Sequence, residues 1–365
     1  MGGPQIWALQ GMNNLRALEV NFADSDLSHL SNLLSLVDLT IRSISSLEPL
    51  SSLTSLQRLD FSECTSVTEI SPLSMLSSLT YLAFNDCNRI RDLSPLSTLS
   101  SLITLESRNT YPRNLKPFNN GISSLMELSF SIFEGKDWLR ITNLAPLSAL
   151  TSLTKLFIGG LNNVRDLTPL GVTLTSLSNV CIENCKRLTN LSPLAGLSSL
   201  TVLSFTKCPG ISDLSPLAGS TSLVSLCLED CIGLIDEPNS GPNLFVLRHL
   251  SALQSLRNFN ISESDYIRYL DPLSGLSSLT SLFFRRCVRI NSFAPLANLP
   301  HLCLLDIGYC SQVEDLSPLS TLEALKELRW NYMTPRKGWM PGTLDELRAR
   351  EGWQVSAAER SSSVT

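Results

Sequence analysis

Apolar residues recur along this chain at two scales. Within a short phrase they alternate, as in "LxxLxL". The phrase itself then returns after 23 residues. The leucines that open it are Leu15, Leu36, Leu56, Leu79, Leu102, Leu125, Leu153, Leu177, Leu200, Leu223, Leu256, Leu279, Leu302 and Leu325, fourteen in all. Most intervals are 23 residues, and Leu153 to Leu177 is 24. The fuller pattern is L-x-x-L-x-[LFI]-x-x-C-x-x-[IV]-x-D-L-S-P-L-x-x-L-x-S. Alternation predicts a short strand with one buried face and one solvent face.

The second half of each unit reads as a turn of helix. Ten copies of [LIF]-x-P-L carry Pro49, Pro72, Pro95, Pro146, Pro169, Pro193, Pro216, Pro272, Pro295 and Pro318. In "LSPL" the serine is expected to cap free N–H groups, and proline at the first helical position gives up nothing. The leucines that follow supply one apolar stripe of a short helix or 3-10 turn. Neither element buries its apolar face alone, so stacked units must share a continuous core, which makes a solenoid. Asp92, Asp166, Asp213 and Asp315 recur just ahead of these turns. Glu69, Asn143 and Asn190 replace them elsewhere, which fits a polar cap on backbone N–H groups better than a calcium site.

These residues resemble the leucine-rich repeat, over nearly the whole chain. The "[IV]xDLSPLxxLxSLxxLxL" half looks like the internalin-type repeat and the related repeats of a protein phosphatase-1 regulatory subunit. The "CxxI" half looks like the cysteine-containing repeats of ubiquitin-ligase adaptors. Internalin-type units have "NxI"; cysteine and one extra residue stand here instead. The resemblance implies an α/β fold, a curved right-handed solenoid. Its parallel sheet would line the concave face, with short helices or 3-10 turns on the convex face. The expected organisation is a solenoid of about 14 repeats over residues 1–341, a capping helix "GTLDELRAREGW" over 342–353 and a disordered tail over 354–365.

The resemblance also implies that the cysteine points inward, where asparagine is usual. Seven of the ten cysteines take this position: Cys64, Cys87, Cys185, Cys208, Cys231, Cys287 and Cys310. They are expected to form a structural ladder of buried thiols, since cysteine is small and buries readily. A redox role would need exposed thiols of low pKa. Cys181 and Cys227 fall on solvent-facing strand positions, and Cys303 follows a strand-opening leucine. The C-x₃-C pairs "CIENC" and "CLEDC" place one thiol outward and one inward, which disfavours zinc.

Composition narrows the function. The chain has 365 residues, 43% apolar, with a formal charge of -5, so a basic face for nucleic acid is not expected. No apolar run reaches the ~18–20 residues of a membrane span. The opening "MGGPQIWALQGMNNL" has no charged region followed by an apolar one, so no signal peptide is expected. Ten cysteines without one read as reduced thiols in the cytoplasm. Three histidines, no G-x-S-x-G and no phosphate-binding G-x-x-x-x-G-K leave no catalytic grouping, cofactor or metal site to expect. "NLS" at Asn190 and "NIS" at Asn260 are formal glycosylation acceptors. Two units are lengthened, one by "FEGKDWLRITN" and one by "IGLIDEPNSGPNLF", and these insertions are candidates for function.

The expected binding face consists of the third, fifth, seventh and eighth residues of each strand unit. Most are small or polar. The last three units instead present Phe283, Arg285 and Arg286, then Leu304, Asp306 and Tyr309, then Glu327, Arg329 and Tyr332. Aromatics and arginines dominate interface energetics. A smaller set is Tyr81, Asn85, Asp86, Glu106, Arg108 and Asn109, and Phe157 stands isolated in sequence. The expected function is a monomeric, non-catalytic scaffold that binds a protein partner on its concave face. The alternatives are a surface adhesin of internalin-like type and a substrate receptor of a ubiquitin ligase.

Overall fold

The structure, a computed structural model, describes residues 11–21, 27–119, 121–132, 141–234, 246–313 and 315–330. The N-terminal Ile6 and Trp7, the capping helix, the tail, Tyr332 and most of both insertions lie outside the described residues.

The chain divides into two compact units, residues 1–180 and 181–365. The first holds β1 (Ala17–Asn21), β2 (Asp38–Arg42), β3 (Arg58–Asp60), β4 (Tyr81–Ala83), β5 (Thr104–Ser107), β6 (Glu127–Ser131) and β7 (Lys155–Gly159). Each pairs with the next in parallel, in chain order. β8 (Asn179–Glu183) falls at the division. The second unit holds β9 (Val202–Thr206), β10 (Ser225–Glu229), β11 (Asn258–Asn260), β12 (Ser281–Phe283), β13 (Leu304–Asp306) and β14 (Glu327–Arg329). They too pair in parallel and in order. A 23-residue interval brings equivalent residues side by side: Leu59 faces Leu82, and Leu282 faces Leu305. This is the parallel sheet of a repeat solenoid, as the sequence led one to expect.

The outer segments are 3-10 turns because of how their leucines are spaced. A 3-10 helix has three residues per turn, so residues three apart lie on one face. Leu93, Leu96, Leu99 and Leu102 follow that spacing and are all buried. Their amides step along the same series, Leu96 to Leu93 O at 2.9 Å, Leu99 to Leu96 O at 3.0 Å and Leu102 to Leu99 O at 3.1 Å. The 24-residue unit departs from this for a visible reason. Its extra residue sets Leu170 and Leu174 four apart, Leu174 N–H reaches Leu170 O at 3.2 Å, and the segment is an α-helix, Thr168–Thr173.

The serine of "LSPL" does not cap these turns. Ser94, Ser192, Ser215 and Ser317 are themselves the first residues of their turns, preceded by leucine. The oxygen comes from two residues before the serine. Asp92 Oδ1 accepts from Ser94 N–H at 2.9 Å, Asp213 Oδ1 from Ser215 N–H at 2.8 Å and Asp315 Oδ1 from Ser317 N–H at 2.8 Å. Asn143 and Asn190 make the same bond at 3.0 Å to Ala145 and Ser192. The local polar cap expected of these aspartates is therefore what they form.

Candidate functional site

Each unit presents two candidate features: the thiols inside the turn that ends a strand, and the side chains on the sheet's solvent face.

The strand ends at the eighth position of its unit. Among the described residues, Ser43, Glu63, Asp86, Asn109, Asn184, Lys207, Asp230, Glu263, Arg286 and Tyr309 all have φ between 54° and 66°. Gly160 takes the same place with φ 71°. This left-handed residue turns the chain and drives the ninth side chain inward. Little in the sequence marks it, because the position is occupied by acids, amides, bases, a serine and an aromatic. An asparagine or glycine at this register, as at Asn109, Asn184 and Gly160, was the available signal.

All seven predicted ladder cysteines are buried. The same position holds buried Thr110 and Ser264 in other units, and Ile44 and Leu161 complete the series among the described residues. Alignment on the 23-residue period places Thr110 and Ser264 in the same column as the cysteines. The thiols link repeats. Cys87 Sγ donates to Phe61 O at 3.3 Å, Cys287 to Ile261 O at 3.2 Å and Cys310 to Phe284 O at 3.2 Å. Each acceptor belongs to the preceding repeat. Burial pushes Cys87 up to about 12, Cys208 to about 11 and Cys287 to about 12, and raises Cys64, Cys231 and Cys310 as well. Thiolates are the reactive form, so these groups are poor nucleophiles and poor metal ligands. Cys181, Cys227 and Cys303 are half-exposed. No cluster of His, Cys, Asp or Glu suited to a metal occurs among the described residues.

On the solvent face of the first unit, charged side chains bind one another across strands. Arg42 meets Asp60 through two contacts of 2.8 and 3.0 Å. Burial alone would raise the Asp60 carboxyl, but hydrogen bonds from Arg42 and Ser62 outweigh it and hold the group below its usual value. The Arg58 guanidinium lies 3.6 Å over the Tyr81 ring and 3.7 Å from Asp38. Tyr81 OH donates to Glu106 at 3.2 Å, and Asn109 Nδ2 to Asp86 at 2.7 Å. Arg108 donates to Ser129 Oγ at 2.7 Å and lies 4.8 Å over the Phe157 ring. Phe157 is thus not isolated. The structure brings together most of the smaller predicted set and adds Asp38, Arg58 and Phe157 to it.

In the second unit the described members of the C-terminal set, all but Tyr332, lie on neighbouring strands and in the turns that end them. The pairing runs Asn260, Phe283, Asp306, Arg329 across four strands, with Ser281, Leu304, Glu327 beside it. Phe283, Leu304, Asp306, Tyr309, Glu327 and Arg329 are half-buried, while Arg285 and Arg286 are exposed. The Arg285 and Arg286 guanidinium groups lie 5.9 and 5.5 Å from the Tyr309 ring centre. Arg286 also approaches Glu263 at 3.3 Å, and Arg329 binds Glu327 at 2.6 Å.

Comparison with known proteins agrees with this architecture. A family model described as "Leucine Rich repeats (2 copies)" matches residues 54–98, and one described as "BspA type Leucine rich repeat region (6 copies)" matches residues 140–237. No curated protein matches the chain. Among solved structures, an internalin (InlF) of Listeria monocytogenes is 24% identical with a TM-score of 0.70, over 90% of this chain and 89% of that one. A leucine-rich-repeat protein of Leptospira interrogans is 15% identical with a TM-score of 0.61, over 97% and 98%. The functional domain of InlJ from Listeria monocytogenes, which includes a cysteine ladder, is 18% identical with a TM-score of 0.55, over 94% and 73%. At these identities the structural likeness bears on the fold.

Proposed function

We propose that this leucine-rich-repeat protein, whose repeats resemble those of internalins, is a non-catalytic scaffold that binds a protein partner on the solvent face of its sheet. The observation that carries the reading is the register of β11 to β14. It sets Phe283, Leu304 and Arg329 on neighbouring strands, with Arg285, Arg286 and Tyr309 in the turns that follow, and the inward neighbours Leu282, Phe284, Leu305 and Ile307 fully buried. A rigid platform loses little conformational entropy when a partner docks. Leucine-rich repeats generally act in this way, and the buried, protonated thiols offer no competing chemistry.

The test is affinity capture from the native cell with wild type and with the triple variant Phe283→Ala/Arg286→Glu/Tyr309→Ala. A partner lost only from the variant, with melting unchanged, supports the site. A partner held equally by both sinks it.

A second reading, a surface protein of internalin-like type, is favoured by the likeness to internalins. The cysteines do not oppose it. Thiols buried and protonated in this way resist oxidation wherever the chain resides, so their reduced state says little about compartment. No helix among the described residues is long and apolar enough to cross a membrane. Protease shaving of intact cells separates the readings: loss of the protein from living cells favours the surface.

A further inference from the structure

We infer that the partner segment received by the β12–β14 face is acidic, with a carboxylate set beside an apolar side chain; this deepens the proposed function and rests on it. Asp306 Oδ1 already accepts Gly308 N–H at 3.1 Å. Glu327 takes Arg329 at 2.6 Å, and Glu263 takes Arg286 at 3.3 Å. Arg285 differs. Its guanidinium makes no hydrogen bond or ion pair among the described residues, and it stands exposed beside Tyr309. Four residues on, Arg289 has, among the described residues, only the ring of Tyr266, 4.9 Å away. The acids of the face have donors while Arg285 lacks an acceptor, so the charge missing from this surface is negative.

The apolar half of the complement comes from Phe283 and Leu304. Both point to the solvent face, are half-buried, and sit on adjacent strands one diagonal step apart, within the ~7–8 Å reach of cross-strand neighbours. A side chain laid on them brings its neighbours along the partner chain to the rim of the sheet, where Arg285 stands. Arginine suits the role because its planar fork binds a carboxylate through two N–H groups. Contact with the ring already limits the freedom it would lose on binding.

The experiment is selection from a phage-displayed library of random dodecapeptides against the full chain, at low and at physiological salt. It is repeated on Arg285→Glu and Phe283→Ala after each passes a melting check, and light scattering records the mass of the chain alone. The expected result is enrichment of peptides that pair Asp or Glu with an aromatic or aliphatic residue. Their binding should fall about tenfold with Arg285→Glu and weaken with salt. Enriched peptides without carboxylates, lost with Phe283→Ala, would overturn the acidic partner but leave the docking face standing. Peptides indifferent to both substitutions, or no enrichment, would overturn both. A dimeric mass abolished by Arg285→Glu would overturn the inference in favour of a second copy of the chain.

Discussion

Cys87 Sγ takes the carbonyl of Phe61, one repeat earlier, because the amide that would continue the strand ladder has turned elsewhere. Phe61 N–H bonds to Ala83 O at 2.9 Å, a regular step of the ladder, which Glu63 N–H to Asn85 O takes up again at 2.7 Å. In a parallel sheet Asn85 N–H should then reach Phe61 O. It goes instead to Ser62 Oγ at 3.0 Å, and the thiol takes the carbonyl at 3.3 Å. The substitution recurs. Arg285 N–H turns to Ser262 Oγ and Cys287 takes Ile261 O; Gly308 N–H turns to Asp306 Oδ1 and Cys310 takes Phe284 O. A thiol is a weak donor, but a buried carbonyl left without one costs about 1–3 kcal/mol.

Cys87→Ala should therefore lower stability by about 2 kcal/mol, from the orphaned Phe61 carbonyl together with lost packing. Urea denaturation measures this. A midpoint unchanged from wild type would mean the thiol contributes nothing to the joint between repeats.

Native thiol reactivity should divide by burial. Of ten cysteines, a small aromatic disulfide reagent should label Cys181, Cys227 and Cys303 in the folded chain and spare the seven that are buried. All ten should react in denaturant. Rapid native labelling of any ladder cysteine would show a strand-end turn that opens, against the fold described.

The ladder also predicts a loss of stability in alkali. Unfolded thiols ionise from about pH 8.5–9, whereas burial pushes Cys87 and Cys287 up to about 12 and Cys208 to about 11. Between those values the unfolded chain gives up protons that the folded chain keeps, so stability falls as pH rises. The contribution is complete below about pH 8.5 and is lost towards pH 12. Melting across this range should show a decline that is shallower in Cys87→Ala/Cys287→Ala. Equal slopes would assign the decline to other groups.

The resemblance to the leucine-rich repeat supplied the inward thiols, and the leucine period made strand register and turn positions legible, because both depend on spacing alone. Three things were not. The left-handed residue before each ladder side chain imposes a backbone angle on almost any side chain, as Lys207 and Tyr309 illustrate. The pattern "LSPL" suggests the serine as the source of the capping oxygen, but the turn begins at that serine, so its N–H needs an acceptor two residues earlier, at Asp92 or Asp315. The cross-strand set of Arg58, Tyr81 and Glu106 joins residues 23 and 25 positions apart. Their alignment followed from the period, but the direction of each side chain did not.

The caps give a prediction in which chemistry and charge separate. Asn143 and Asn190 make the bond that Asp315 makes, so a neutral amide oxygen suffices. Asp315→Asn should be near neutral, and Asp315→Ala should cost about 1 kcal/mol. Added calcium should shift neither melting curve. A calcium-dependent rise lost in Asp315→Asn would revive the cation site that the local hydrogen bonding argues against.

Gly160 is the position where the left-handed column does require glycine. Its φ is 71°, and a Cβ there would stand 2.1 Å from Ile132 O, which is backbone and cannot rotate away. Two penalties then combine, the left-handed conformation and the collision with the neighbouring repeat. Gly219 is the internal comparison: a Cβ there meets nothing within 4 Å. Gly160→Ala should destabilise by about 2 kcal/mol or more, while Gly219→Ala should be neutral or stabilise by about 0.5 kcal/mol through the unfolded chain. Denaturation of the two variants side by side decides the matter. If both behave alike, the close approach of residue 160 to the Ile132 carbonyl is not present in solution.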